Sequence, residues 1–311
     1  MRHKIGIVGS GHVGSEVANE IVRMNMGDCV LVDMQANVAR AKALDLSHTA
    51  PIRQSSASVS DGGSFDALTG CSVVVLAAGV PRSPGMSRDD LLDTNCAIIK
   101  EIVPRVIRVC PDAVFLVVTN PLDAMTYAVW KLSGKTPGAV FGMAGVLDST
   151  RFRWFLANEL NVSAEDVHAM VLGSHGDLMV PLSRYASVAG IPAIDLIEPE
   201  AMNRLLERTR NAGTELVSLL QSGSAYYAAG AATAVVVDSL VNDKRKVLCS
   251  SAFCSGEYGI DGVYVGVPAV IGSAGVEEII ELRLNEQELA ALRASADHLR
   301  RLQQRVDTQL R

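Results

Sequence analysis

A glycine-rich turn near the start of the chain constrains the fold more than any other feature. An apolar run over residues 4–8 leads into a segment in which Gly9, Gly11 and Gly14 fit the pattern G-x-G-x-x-G. The first glycine permits a sharp turn, the second lets the backbone approach a pyrophosphate, and the third lets a helix lie close to the preceding strand. Apolar residues then recur at helical spacing. The segment therefore predicts a dinucleotide site, with a purely structural glycine turn as the alternative.

A carboxylate at the end of the second predicted strand favours NAD over NADP. Residues 29–32 are apolar and are followed by Asp33. The sequence spacing from the glycine turn to Asp33 is that of an acid that binds the adenosine ribose hydroxyls. Asp33 would repel the 2'-phosphate of NADP, and the next two residues supply no cation. We expect Arg40 and Lys42, further along, to lie on a solvated helix face.

The alternation of strands and helices predicts an α/β protein with two domains. In a chain of 311 residues, 49% of them hydrophobic, we expect an NAD-binding domain over residues 1–145, built as a Rossmann-type doubly wound parallel sheet. A mixed α+β substrate domain is expected over 146–311, where the alternation changes. The net charge of −6 argues against nucleic-acid binding. It also means that the overall field does not attract an anionic substrate, which therefore needs a local cluster of cations.

Other sequence features argue against a membrane protein, a secreted protein and a metalloprotein. The longest apolar runs stop at about ten residues, short of what a bilayer requires. The six cysteines form no C-x-x-C pair and lie mostly in apolar strand or helix patterns, so reduced core thiols are expected. We therefore expect a cytoplasmic protein without a metal site.

Three loops are predicted to leave the carboxyl ends of parallel strands and to converge on one crevice. They cover residues 9–14, 78–88 and 119–121, and the second carries Arg82 and Arg88. In the third loop we expect Asn120 as a helix N-cap, followed by proline at the first helical position.

Two patterns further along suggest catalysis. Asp148 and Arg151 are three residues apart, which places them on one helix face, and His175 is flanked by small residues in the turn G-S-H-G-D. Taken singly, these patterns are also consistent with an exposed ion pair and a surface histidine, and the double-arginine loop with a solvated charged loop. Asp177 is expected to be a turn residue. Together the patterns supply a histidine to move a proton, a carboxylate to orient it and arginines to bind carboxylates.

Five segments in this order resemble the lactate/malate dehydrogenase family over nearly the whole chain. These segments are G-S-G-H-V-G at 9–14, V-P-R-S-P-G-M-S-R at 80–88, V-T-N-P at 118–121, L-D-S-T-R at 147–151 and G-S-H-G-D at 173–177. The resemblance implies that His175 is the proton donor and acceptor, with Asp148 as its partner. It also implies that Arg151 binds the substrate C1 carboxylate and that Arg88 polarises the reacting carbonyl.

The residue at position 82 bears on the choice of substrate within the family. By the resemblance, Arg82 lies where the substrate is selected, and an arginine there implies a second carboxylate and hence a malate/oxaloacetate pair. Asn120 would contact nicotinamide and substrate, and Asn95 matches a cofactor contact. Ala225 replaces the threonine usual in lactate enzymes, which also favours malate. The resemblance further implies a homodimer or homotetramer.

Three alternatives stay open at this point. A lactate or other 2-hydroxy-acid dehydrogenase differs mainly at residue 82. An NAD-dependent glycoside hydrolase can share this kind of fold but needs a metal site and a sugar pocket that the sequence does not offer. A catalytically silent NAD-binding module is disfavoured by the intact His175, Asp148 and Arg151.

Overall fold

The computed structural model describes residues 2–81, 85–221 and 223–311, so Arg82 lies outside the described residues. Eight α-helices and twelve strands make up the regular structure of the described part. The helices are α1 His12–Arg23, α2 Ala36–Thr49, α3 Arg88–Val109, α4 Leu122–Ser133, α5 Gly145–Leu160, α6 Pro199–Leu220, α7 Tyr227–Val241 and α8 Glu286–Leu310. The strands are β1 Lys4–Val8, β2 Asp28–Val32, β3 Val59–Asp61, β4 Val73–Leu76, β5 Val114–Val117, β6 Val140–Gly142, β7 Val167–Gly173, β8 Met179–Val188, β9 Ile191–Pro192, β10 Lys246–Ser255, β11 Asp261–Gly272 and β12 Gly275–Ile279.

The first six strands form a parallel sheet in the order β3-β2-β1-β4-β5-β6. The order reverses between β1 and β4, and ligands of open α/β sheets bind in the crevice beyond the strand ends at such a point. The turn after β1 and the loop after β4 both leave the sheet there. The predicted Rossmann-type doubly wound sheet is thus confirmed.

The central strands are nearly continuous hydrophobic runs because helices cover both faces of the sheet. In β1, Ile5 and Ile7 face the helices α1 and α7, while Val8 belongs to the core beneath α3 and α4. Parallel strands covered by helices on both faces need such runs. Because α1, α3 and α4 follow the parallel strands β1, β4 and β5, the N-terminal ends of these helices lie beyond the carboxyl ends of the strands.

The second half of the chain continues the sheet with antiparallel strands. β10 joins β6 through the pair Ser251 and Gly142, and β11, β7, β8 and β9 follow in that order, with β12 on β11. The mixed α+β character predicted beyond residue 145 is confirmed. Strands β6, β9 and β12 do not follow from the sequence, because each is short and has no strong pattern of its own.

Two helix starts near the crevice differ from the sequence-based expectation. Helix α3 begins at Arg88, within the loop expected over residues 78–88, because Ser87 and Asp90 form a reciprocal capping box. The expectation of Asn120 as an N-cap is wrong: α4 begins at Leu122, since Pro121 has an extended backbone with ψ of 115° and itself occupies the N-cap position. Asn120 therefore lies one residue outside the cap.

All six cysteines are buried and unpaired, as expected from their apolar surroundings. Burial raises the pKa of the Cys71 thiol to about 12, so it is unreactive at neutral pH. Within the described part of the chain, no helix is both long and apolar enough to cross a membrane.

Candidate active site

The glycine turn after β1 has the shape that a bound pyrophosphate requires. Gly9 has a positive φ of 97°, and a side chain there would press on the backbone of Ala78. A Cβ at Gly14 would overlap the Gly9 carbonyl oxygen, whereas one at Gly11 would meet no atom within 4 Å. The turn is therefore closed towards the protein and open at Gly11. A dinucleotide fits this arrangement, because its pyrophosphate needs close access to the backbone at the start of α1.

Asp33 is fixed in place beside this turn. Its Oδ2 accepts hydrogen bonds from the N–H of Ser10 at 2.6 Å and from the Ser10 hydroxyl at 3.0 Å, and its Oδ1 accepts the N–H of Gln35 at 2.9 Å. Burial alone would raise the pKa of this carboxyl, but the hydrogen bonds from Gln35 and Ser10 outweigh burial and lower it. An ionised carboxylate with free lone pairs suits the ribose hydroxyls of NAD.

Lys42 does not lie on a fully solvated helix face as expected. Its Nζ donates a hydrogen bond to the Ser10 carbonyl oxygen, and its charge helps to lower the pKa of Asp33. This contact could not be inferred from the sequence, because Lys42 is nine residues beyond Asp33 and approaches the turn only when α2 packs beside it.

Asn95 joins two of the loops that border the crevice. This fully buried side chain accepts the N–H of Val80 at 2.8 Å and donates to the carbonyl oxygens of Val80 at 3.1 Å and Asn120 at 2.6 Å. The amide is thus engaged within the protein, and its geometry holds the loop after β4 beside the loop after β5. A direct contact of Asn95 with the cofactor stays a prediction, as does the contact of the exposed Asn120.

A buried carboxylate lies at the centre of the proposed catalytic group. Asp148 is 2% exposed and lies in the first turn of α5. Its Oδ2 is 2.8 Å from Nδ1 of His175, and its Oδ1 accepts a hydrogen bond from Nη1 of Arg151 at 3.2 Å. The alternative of an exposed helix ion pair is excluded by this burial. One carboxylate therefore orients both the imidazole and the guanidinium.

Asp148 shifts the proton affinity of His175. Burial tends to lower the pKa of the imidazole, but the charge and the hydrogen bond of Asp148 outweigh burial and raise the pKa above its ordinary value. Because Asp148 accepts the Nδ1 proton, Nε2 is the ring nitrogen that can exchange a proton with a substrate. This is the electrostatic setting of a general acid-base catalyst.

A second buried carboxylate binds the backbone of the histidine loop, residues 173–177. Asp123, in the first turn of α4, accepts the backbone N–H of His175 at 2.9 Å through Oδ2. Its Oδ1 has no hydrogen-bond partner among the described residues, and burial raises the pKa of this carboxyl despite the nearby Ser251 hydroxyl. The contact of Asp123 with the His175 loop could not be inferred from the sequence, because the two residues are 52 positions apart.

Arg88 is the first residue of α3 and reaches the same loop. Its Nη2 lies 2.5 Å from Oδ2 of Asp177, two residues beyond His175, and both side chains are more than half exposed. Asp177 lies in a turn, as expected from the sequence, and it also pairs with Arg88. The structure brings four of the predicted site residues close to the His175 loop: Arg88, Asp148, Arg151 and His175 itself. Arg82 lies outside the described residues, so its role stays a prediction.

Comparison with known proteins identifies both halves of the chain. Residues 3–142 match the NAD-binding domain of lactate/malate dehydrogenases, and residues 145–308 match their α/β C-terminal domain. A protein named malate dehydrogenase from Thermomicrobium roseum is 47% identical over 304 residues, covering 98% of each chain.

Solved structures agree with this comparison. The apo malate dehydrogenase of Picrophilus torridus superposes with a TM-score of 0.96 at 41% identity, covering 99% of this chain and 98% of that one. The lactate dehydrogenase of Cryptosporidium parvum, solved with lactic acid and NAD, has a TM-score of 0.95 at 38% identity, with coverage of 99% and 98%.

Proposed function

We propose, from the premise that this chain belongs to the lactate/malate dehydrogenase family, that it catalyses the reversible oxidation of (S)-malate by NAD to oxaloacetate, NADH and a proton. The observation that carries the proposal is the buried Asp148 carboxylate, which binds the His175 ring and the Arg151 guanidinium together. Relatives named malate dehydrogenase support malate as the substrate. The match to an NAD-binding domain supports the cofactor.

The residues divide the chemistry between them. His175 accepts the malate hydroxyl proton at Nε2, and Asp148 stabilises the imidazolium that forms. Bound NAD supplies the hydride acceptor, and the protein supplies orientation and electrostatics. The dinucleotide would be held beyond the carboxyl ends of the parallel strands by the glycine turn, at Gly9, Gly11 and Gly14, and by Asp33.

Arginines handle the negative charge of the substrate. Arg151, fixed by Asp148, binds the C1 carboxylate that malate and lactate share, in the forked geometry that a guanidinium provides. Arg88 polarises the reacting carbonyl, and Arg82 pairs with the second carboxylate. A protein with a net charge of −6 needs this local cluster, because its overall field does not attract a dianion.

The two halves of the chain act as an NAD-binding domain over residues 1–145 and a substrate domain over 146–311. This division is supported by the change from parallel to antiparallel pairing after β6. A cytoplasmic location is part of the proposal, supported by six buried free cysteines, which suit a reducing compartment.

Self-association as a homodimer or homotetramer also belongs to the proposal. Apolar side chains are exposed in two regions of the surface, at Leu44 and Ile52 around the end of α2 and at Leu219 near the end of α6. Exposed apolar residues grouped in this way are typical of interfaces. Sedimentation velocity should give a particle of two or four chains, and a single-chain particle at micromolar concentration would refute this part of the proposal.

The direct test of the catalytic proposal is the substitution His175→Asn. Without a titrating imidazole, turnover of oxaloacetate with NADH should fall by roughly two to four powers of ten, which is the usual contribution of general acid-base catalysis. NADH affinity, measured by fluorescence titration, should change little because His175 is not part of the glycine turn. A variant that kept most of its turnover with hydride transfer rate-limiting would exclude His175 as the proton carrier.

A further inference from the structure

The last helix, α8, contacts both the loop that carries His175 and the start of α3, which carries Arg88. At one position, the hydroxyl of the fully buried Ser295 accepts the backbone N–H of Ser174 at 2.7 Å, and Ser174 directly precedes His175. The helix therefore holds the start of the histidine loop through a hydrogen bond that no solvent reaches.

Three turns further along, Arg305 binds the start of α3. Its Nε and Nη2 donate to the two carboxylate oxygens of Asp93 at 2.9 and 2.7 Å, and its Nη1 donates to Asp89 at 2.7 Å. These hydrogen bonds lower the pKa of Asp93 and raise that of Arg305. Asp89 directly follows Arg88, so the guanidinium holds the turn of α3 from which the carbonyl-polarising arginine extends.

The two contacts share one rigid element. Ser295 and Arg305 are ten residues apart, or about 15 Å along a helix axis. Between and beyond them, Ala296, Leu299 and Val306 are buried in the core, which prevents α8 from sliding. The separation between the histidine loop and the start of α3 is consequently set by the length of α8.

A direct contact across the crevice makes this separation matter. Arg88 is paired with Asp177 of the histidine loop at 2.5 Å, so a shift of the first turn of α3 changes the position of Arg88 relative to that loop. A displacement of about 1 Å in an active site can cost roughly a hundredfold in rate.

We propose that Arg305 is a positioning residue, which places Arg88 opposite the His175 loop through the α8 helix anchored at Ser295. The inference rests on the proposed function, because it assigns Arg305 a purpose in the same reaction. Arg305 itself does not touch the substrate. The competing explanation is a surface ion network that adds only to stability, since exposed ion pairs usually contribute little.

The chain offers a matched control on the same helix. Arg300 is half-exposed, pairs with Asp297 at 2.5 Å and donates to the Asp261 carbonyl oxygen at 3.2 Å, and among the described residues it has no hydrogen bond or ion pair with α3. Arg300→Gln removes the same charge from the same helix and leaves the start of α3 in place. Arg305→Lys keeps the charge but loses the fork that grips Asp93 and Asp89 together.

The experiment compares Arg305→Gln, Arg305→Lys and Arg300→Gln. Arg305→Gln should lower kcat/KM for oxaloacetate roughly three- to tenfold through kcat and the KM for oxaloacetate, with NADH affinity unchanged, as expected when a substrate-binding group is misplaced. Arg305→Lys should fall between, and Arg300→Gln should stay close to the original protein. Amide hydrogen exchange over residues 88–93 should quicken only in the Arg305 variants.

Two results would overturn the inference. One is a kcat/KM for Arg305→Gln equal to that of Arg300→Gln, and the other is an unchanged hydrogen exchange over residues 88–93. A protein that fails to reduce oxaloacetate even without substitution would instead refute the proposed function. The exchange comparison needs neither substrate nor cofactor, so it still decides whether Arg305 holds the start of α3.

Discussion

At the scale of single residues, the chemistry depends on where two carboxylates lie relative to His175. Asp148 binds the ring at Nδ1, and Asp123 binds the backbone N–H of the same residue. The two contacts fix the imidazole from both its side chain and its main chain. Asp148 also accepts a hydrogen bond from Arg151, so one carboxylate links the proposed proton carrier to the proposed carboxylate-binding arginine.

The raised pKa of His175 predicts the pH dependence of the reaction. Reduction of oxaloacetate needs the imidazolium, so kcat/KM should be full below the pKa of His175 and fall as the pH rises through it. Because Asp148 raises this pKa above the ordinary value of 6.5, the fall should occur above pH 6.5. Asp148→Asn removes the largest cause of the rise and leaves burial, which lowers the pKa of His175, opposed only by the smaller contribution of Asp123. The falling limb should therefore move to lower pH.

The measurement is the pH profile of kcat/KM for both proteins with NADH saturating. Arg151→Gln, which keeps Asp148 in place, is the opposite comparison: the charge of Arg151 lowers the pKa of His175, so its removal should move the limb to higher pH. An unchanged limb in Asp148→Asn would show that Asp148 does not control the protonation of His175.

At the scale of elements, helix starts and turns place the functional groups. The capping box of Ser87 and Asp90 begins α3 at Arg88, so the arginine projects from the first turn of a helix instead of from a loop. Helix α1 begins differently, after Gly11 and without a side-chain cap, and Gly14 lets it pack closely against the turn. The capping box could have been identified in the sequence from the spacing of Ser87 and Asp90.

The two glycines of the turn should separate stability from cofactor binding. Gly14→Ala places a methyl group against the Gly9 carbonyl oxygen and should destabilise the protein by about 1 to 3 kcal/mol, the usual cost of overpacking. Gly11→Ala meets no protein atom within 4 Å, so stability should be nearly unchanged. Its methyl group lies where the pyrophosphate must approach, and NADH affinity should fall roughly tenfold or more.

Urea denaturation and NADH fluorescence titration of the two variants provide the test. Ser72→Ala, at an exposed position outside the turn, controls for handling of the protein. If Gly11→Ala bound NADH as tightly as the original protein, the pyrophosphate could not lie against this turn.

At the scale of the whole molecule, the sequence predicts the architecture better than it predicts contacts between distant segments. The parallel sheet follows from alternating elements, and the chemistry of Asp148 and Arg151 follows from helical spacing. The contacts of Lys42 with Ser10 and of Arg305 with α3 join segments far apart in the chain, and they arise only when helices pack. The misplaced N-cap at Asn120 has a local cause, the extended backbone of Pro121, which composition does not reveal.

The discrimination between oxaloacetate and pyruvate tests the central claim most directly. In the proposed function Arg82 is the partner of the second carboxylate of oxaloacetate, and a charge-assisted hydrogen bond of this kind would contribute about 1.5 to 3 kcal/mol. With NADH at one ionic strength, kcat/KM for oxaloacetate should exceed that for pyruvate by roughly ten- to a hundredfold or more, and Arg82→Gln should reduce this ratio. Equal efficiency with pyruvate in the unaltered protein would contradict the assignment of malate, and an unchanged ratio in Arg82→Gln would place substrate selection elsewhere.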